Sequence, residues 1–166
     1  LFRPIDLAIE SVSQLSKFGI NARLINAGSG DKQLKNELEK KVNYFGLGEV
    51  VKFVSWVSGE EKKILFRKSD LFLLPSENEN FAIAVAESVC HELPVVISDK
   101  VAISELVRKN NCGVVFSELN ANSLTSAILE AINDYEVLLI NCRKTKNLLL
   151  WDNVILRWYA ALDLIK

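Results

Sequence analysis

Runs that are apolar at nearly every position recur along the chain: VVKFVS (50–55), DLFLLPS (70–76), PVVIS (94–98) and GVVFS (113–117). Each is separated from the next by a segment whose apolar residues follow helical spacing. A strand that is apolar on both faces has to be covered on both faces. A parallel sheet with helices on each side does this. The intervening segments fit that demand. Ile5 to Lys17 places Ile5, Leu7, Ala8, Ile9, Val12 and Leu15 mostly at helical spacing. ARLINAG (22–28) reads as a short buried strand. DKQLKNELEKKVNYFG then reads as an amphipathic helix, with Asp31 as its N-cap and Gly46 as its C′ stop. Helices are predicted over 59–69, 80–92 and 101–110. From Ala121 onward the chain reads as helices: ANSLTSAILEAIND, a segment near 136–148, and WDNVILRWYAALDLIK. The reading is one α/β domain over residues 1–166, a doubly wound parallel sheet flanked by helices.

Charge and cysteine usage narrow the class. Twenty basic side chains balance 21 acidic ones, so bulk electrostatics favours no polyanion and excludes nucleic acid as the expected partner. Cys90, Cys112 and Cys142 are scattered, and His91 is the single histidine, so no zinc pattern exists and no metal is expected. Three isolated thiols fit a reducing compartment, and the expected location is the cytoplasm. No apolar stretch approaches the roughly 20 residues that span a bilayer. LFRPIDLAIE carries charges where a signal peptide would be apolar. The abrupt helical start suggests a piece cut from a longer protein.

Ligands of doubly wound sheets bind outside the carboxyl ends of the strands, where βα loops meet helix N-termini. The loops to inspect are therefore 28–31, 55–59, 75–81 and 98–101. In PSENENFAIAVAESVCHELPVV (75–96), Pro75 ends a strand, Ser76 to Glu79 form a polar turn, and Asn80 is placed to cap a helix starting at Phe81. The free N–H groups of such a helix start favour an anion. Glu79 stands beside them and Glu87 about two turns into the helix. Eight residues at helical rise separate the two by about 12 Å. That exceeds the roughly 5–9.5 Å between paired glycosidase carboxylates. Two grips on separate parts of an extended ligand fit better, because carboxylates accept paired hydrogen bonds from hydroxyls. The spacing by itself also describes a solvated loop glutamate and an exposed helical one.

Other candidates are weaker. Gly28-Ser29-Gly30 opens a helix after a strand, but Gln33 stands at the third position of a G-x-G-x-x-G fingerprint, so a tight βα turn is the better account. His91 lies at the far end of its helix and reads as structural. Trp56 reads as packing, and Cys90 and Cys112 as small buried apolar residues.

The string P-S-x-x-E-x-F-x-x-x-x-x-E followed by P-V-V, here Pro75, Ser76, Glu79, Phe81, Glu87 and Pro94-Val95-Val96, resembles the glutamate motif of retaining glycosyltransferases of the GT-B fold, family 4 (group 1). The segments VVKFVSWVSGEEKKILFRKSDLFLLPS and SDKVAISELVRKNNCGVVF, with Glu105 and Gly113, are similar to those that flank it in the family. The likeness extends through NANSLTSAILEAIND to Trp151 and Tyr159. The resemblance implies a Rossmann-like C-terminal domain that binds a nucleotide-diphosphate sugar, the acceptor-binding N-terminal domain lying outside this chain. It implies that Glu79 holds sugar hydroxyls and Glu87 the ribose, and that backbone groups of Asn80, Phe81, Ala82 and Ile83 receive the diphosphate. Gly28, Trp56 and Val57 would then line the cleft, the latter two beside the base. In RPIDLAIE, Arg3 stands where the family places a phosphate-binding lysine, and either cation would stabilise a departing diphosphate.

Two departures stand out: Ala82 replaces the glycine after the motif's phenylalanine, and Glu92-Leu93 precedes Pro94 where a small residue is usual. The implied chemistry is sugar transfer to an acceptor hydroxyl in bacterial polysaccharide or glycolipid synthesis, without a metal or other cofactor. The full enzyme would work in the cytoplasm or peripherally on the inner membrane face, with a saccharide or lipid-linked acceptor. The alternative is a decayed Rossmann-like binding or scaffold module. In the doubly wound order the first strand is central, and this chain starts after it. An unpaired strand edge near ARLINA or DLFLLPS, and self-association of the fragment, are therefore expected.

Overall fold

The computed structural model describes residues 3–80, 82–150, 152–155 and 159. The alternation survives intact. Helix α1 (Pro4–Lys17) leads to β1 (Leu24–Ala27), α2 (Lys32–Tyr44), β2 (Val51–Val54), α3 (Gly59–Lys68) and β3 (Phe72–Leu74). Then follow α4 (Ile83–Cys90), β4 (Val95–Ser98), α5 (Ser104–Asn110), β5 (Gly113–Phe116), α6 (Ala121–Asn133) and α7 (Tyr135–Leu149). Of the expected closing helix, Asp152–Ile155 and Tyr159 are helical; Trp151 lies outside the described residues.

Local chemistry sets several boundaries. The Asp31 carboxylate accepts from the Leu34 N–H at 2.7 Å, capping α2 as expected. Gly46, at φ 67°, closes the same helix, with the Leu47 N–H donating back to the Val42 carbonyl at 2.9 Å.

All strand pairs are parallel. β1 pairs with β2, Leu24 opposite Val51, and a second ladder runs β3-β4-β5, with Val96 opposite Leu73 and Val114. Gly113 is demanded by that second ladder, because a Cβ there would lie 2.2 Å from the Val95 carbonyl oxygen. The orders β2-β1 and β3-β4-β5 match the two sides of a doubly wound sheet. Among the described residues β1 and β3 each have one edge without a strand partner, as expected from the sequence.

β4 is buried at all four positions and shows how the sheet is covered. Val96 packs with Leu15, Val114, Phe116, Leu124, Ile128 and Leu138. Val95 and Ile97 face the other way, onto Val85, Val89, Val101, Val107, Cys112 and Cys142. A third cluster of Ile9, Val12, Leu38, Val42, Leu47 and Val51 joins α1 and α2 to β2. Each fully buried aliphatic side chain contributes about 1.5–3 kcal/mol. Cys112 and Cys142 are buried free thiols, the second donating to the Cys112 carbonyl at 3.2 Å. Cys90 is only half-buried, against expectation.

Candidate functional site

α4 carries the site and starts later than its sequence suggests. The first helical residue is Ile83 and the N-cap is Ala82, whose backbone is left-handed at φ 51°, ψ 62°. Asn80 is therefore not the cap, and Phe81, the expected helix start, lies outside the described residues. An Asx cap needs its residue in extended backbone one position before the helix. Here a left-handed residue turns the chain instead. Among the described residues no side chain caps α4, so its leading N–H groups have no side-chain acceptor there. Glu87 consequently lies about one turn into the helix, not two.

Neighbouring loops hold this tip in place. Glu79 forms an isolated parallel bridge with Val101, and its carbonyl accepts from the Ala102 N–H at 3.2 Å. Ser98 Oγ donates to the buried Ser76 carbonyl at 2.5 Å and accepts from the Lys100 N–H at 3.1 Å. Two of the loops expected at the ligand edge, 75–81 and 98–101, are thus tied together. The Glu79 side chain itself is exposed.

Between α3 and α4 lies a cavity of about 230 Å³, lined by the Trp56–Gly59 loop, Lys62, Lys63 and Phe66 on one side and Glu87 and His91 on the other. The structure therefore brings Glu87, Trp56 and Val57 together, whereas Glu79 and Gly28 do not contribute to this lining. Trp56 is 73% exposed at the cavity, so it is not the packing residue its sequence context suggests. Gly28 closes β1 with its N–H donating to the Val54 carbonyl at 3.2 Å, and a side chain there would meet open space.

The cavity also holds residues that sequence reasoning missed. Lys62 Nζ lies 2.5 Å from Glu87 Oε2. The contact is an ion pair and not a directed hydrogen bond, and Oε2 is buried. His91 stacks on Phe66 with ring centroids 5.3 Å apart. It is the C-cap of α4, at the far end of the helix as expected, one turn past Glu87, and it lines the same cavity. Burial, then the charges of Arg67, Lys146 and Lys63, push its pKa below the usual histidine value. The i, i+4 relation of Glu87 and His91 was the one available signal.

Arg3 lies on the α1–α2 seam. Its Nε donates to Asp6 Oδ2 at 2.6 Å and its Nη1 to Glu37 Oε2 at 2.6 Å. These two hydrogen bonds raise its already high pKa. At the far end of α4, Glu92 takes a left-handed backbone, φ 63°, and its carboxylate accepts from Arg143 at 3.0 Å and Lys146 at 3.2 Å. Among the described residues no cluster of three or more His, Cys, Asp or Glu could hold a metal.

A family model described as "Glycosyl transferases group 1" matches residues 3–155. A glycosyltransferase of Methanocaldococcus jannaschii is 28% identical over 138 residues, 81% of this chain and 35% of that protein. The amylovoran biosynthesis glycosyltransferase AmsK of Erwinia amylovora is 30% identical over 131 residues, 75% of this chain and 32% of that one. The chain thus spans about a third of the length of these curated relatives. Among solved structures, Anabaena HepE in complex with UDP and glucose superposes with a TM-score of 0.79 at 21% identity, over 95% of this chain and 43% of that one. This last likeness establishes a shared fold.

Proposed function

Because the chain belongs to the glycosyl transferases group 1 family, matched over residues 3–155, we propose that it is the donor-binding C-terminal domain of a retaining GT-B glycosyltransferase of family 4. In this reading the nucleotide-diphosphate sugar lies across the α4 tip. Uncapped N–H groups from Ala82 onward receive the diphosphate, Glu87 receives the ribose, and Trp56 and Val57 flank the base. Glu79 holds the sugar beyond the diphosphate. The transferred sugar leaves the diphosphate for an acceptor hydroxyl, and the charge left behind is stabilised by the α4 dipole and Arg3. Arg3 must release one of its two carboxylates to do so. No metal enters the scheme.

The observation that carries the reading is Glu87, one turn past the uncapped start of α4, lining a cavity together with an exposed Trp56. HepE in complex with UDP and glucose supports a nucleotide-sugar donor, and AmsK, named for amylovoran biosynthesis, supports a role in polysaccharide synthesis. Among the described residues no helix is long and apolar enough to cross a membrane; the association proposed for the full protein is peripheral.

Calorimetric titration of the chain with UDP, GDP and ADP tests this. Saturable binding of one of them, lost in Glu87→Ala, is the expected result. A second reading, a decayed scaffold module, is favoured by the strained Ala82 and the double engagement of Arg3. Silence toward all three nucleotides selects it.

A further inference from the structure

The Lys62–Glu87 pair has no part in the reading above, yet it sits where that reading places the ribose. Glu87 Oε2 is buried against the Lys62 ammonium at 2.5 Å, while both side chains stay about one-third exposed to the cavity, at 34% and 38%. Among the described residues no group hydrogen-bonds the other carboxylate oxygen, Oε1. A lone carboxylate would present two acceptors to a pair of hydroxyls. This one presents a single open acceptor, and beside it an ammonium with N–H donors remaining.

We infer that Lys62 is a specificity-determining residue that forms, with Glu87, a donor–acceptor clamp for a vicinal diol. One hydroxyl donates to Glu87 Oε1, and the neighbouring hydroxyl oxygen accepts from Lys62 Nζ. The inference rests on the proposal that Glu87 meets the ribose. The clamp reads the 2′,3′-diol as a unit, because removing either hydroxyl takes away one of its two charge-assisted hydrogen bonds. The neighbouring residues fix the geometry. Lys62 lies in the first turn of α3, rooted by the buried Phe66, and Glu87 lies in a helix rooted by the fully buried Val85 and Val89. Neither element has to move for the clamp to form.

Titrate the unsubstituted chain, Lys62→Met, Lys62→Arg and Glu87→Ala with UDP, GDP and ADP, then with the 2′-deoxy form of the one that binds. The unsubstituted chain should prefer the ribonucleotide by about tenfold, the effect of one charge-assisted hydrogen bond. Lys62→Met should weaken ribonucleotide binding about tenfold and collapse the preference toward one, with the melting temperature little changed. Lys62→Arg should restore the preference. If Glu87→Ala abolishes binding but Lys62→Met leaves both affinity and preference intact, the clamp is wrong and the nucleotide reading stands. If Glu87→Ala changes nothing, or the unsubstituted chain binds none of the three diphosphates, both fall.

Discussion

At the N-terminal end of α4 Ala82 sits at φ 51°, and just past the C-terminal end Glu92 sits at φ 63°. Both occupy the left-handed region, where a Cβ costs roughly 1–2 kcal/mol and glycine costs least. Both are the positions at which the resemblance expects a small residue. The two ends differ in what offsets the strain. Glu92 closes the helix with a C-terminal pattern in which its own N–H donates to Val89 and that of Leu93 to Ser88. Its carboxylate is misplaced with respect to the helix dipole, but Arg143 and Lys146 of α7 bind it. Among the described residues no side-chain cap serves the Ala82 end, and alanine itself can form no ion pair. A third left-handed residue, Asn111 at the end of α5, is of a type that tolerates this conformation. The strain at the stabilising end is offset by charge. The strain at the proposed ligand end is met only by packing of Ala82 against the Val85–Val89 core and by its carbonyl accepting from the Val85 N–H at 2.8 Å.

Ala82→Val should give the largest effect. A β-branched residue at φ 51° is an outlier, and the added strain should cost about 2 kcal/mol. In a chain of this size that lowers the melting temperature by about 4–8 °C, and nucleotide binding should fall with it. An unchanged melt would mean that the α4 tip relaxes freely and is not fixed by the Glu79–Val101 bridge.

Next is Glu92→Ala, which keeps the left-handed backbone but removes both cations' partner. Exposed ion pairs contribute about 0.2–1 kcal/mol each, so a loss of about 1 kcal/mol is expected in chemical denaturation. Glu92→Gly removes strain and ion pairs together and should come within about 0.5 kcal/mol of the unsubstituted chain. A clear gain in Glu92→Gly would show that Arg143 and Lys146 offset nothing.

Ala82→Gly is expected to stabilise by about 0.5 kcal/mol, the relieved strain being partly cancelled by the larger entropy of glycine in the unfolded chain. It should also tighten diphosphate binding, because backbone approaches the anion without a methyl between them. Weaker binding in Ala82→Gly would remove the α4 tip from the anion site.

These contrasts also mark how far the sequence can be read. Asp31 and Gly46 were legible as helix bounds because a cap acts within three or four residues of itself. Gly113 is explained by a neighbour 18 positions away in the chain, Val95, yet the alternation of strands already implied such a contact. The start of α4 was misplaced because Asn80 advertises a cap, while a left-handed alanine gives no signal at all. The Lys62–Glu87 and Phe66–His91 contacts were not legible: they depend on how two helices line up across a groove, which no single-element period encodes. His91 was legible as the far end of its helix, but its place in the cavity wall was not.

The smallest effect concerns pH, and again the neighbours His91 and Glu92 differ. Burial and the cations Arg67, Lys146 and Lys63 depress the His91 pKa in the fold, with Glu87 opposing them. The unfolded chain, with a value near 6.5, therefore binds a proton more readily than the folded one. The stability linked to His91 is complete above that value and is lost as pH falls below it toward the folded pKa. Glu92, depressed by its hydrogen bonds to Arg143 and Lys146, follows the same sign in a lower window, below the ordinary glutamate value. Melting curves collected from pH 7.5 to 3.5 should show a first small decline beginning near pH 6.5 and a second below about 4.5. His91→Gln should flatten the first and leave the second, whereas Glu92→Gln should do the reverse. If both substitutions leave the upper decline in place, protonation of His91 is not opposed by the fold, and the cavity floor is open enough to solvate an imidazolium.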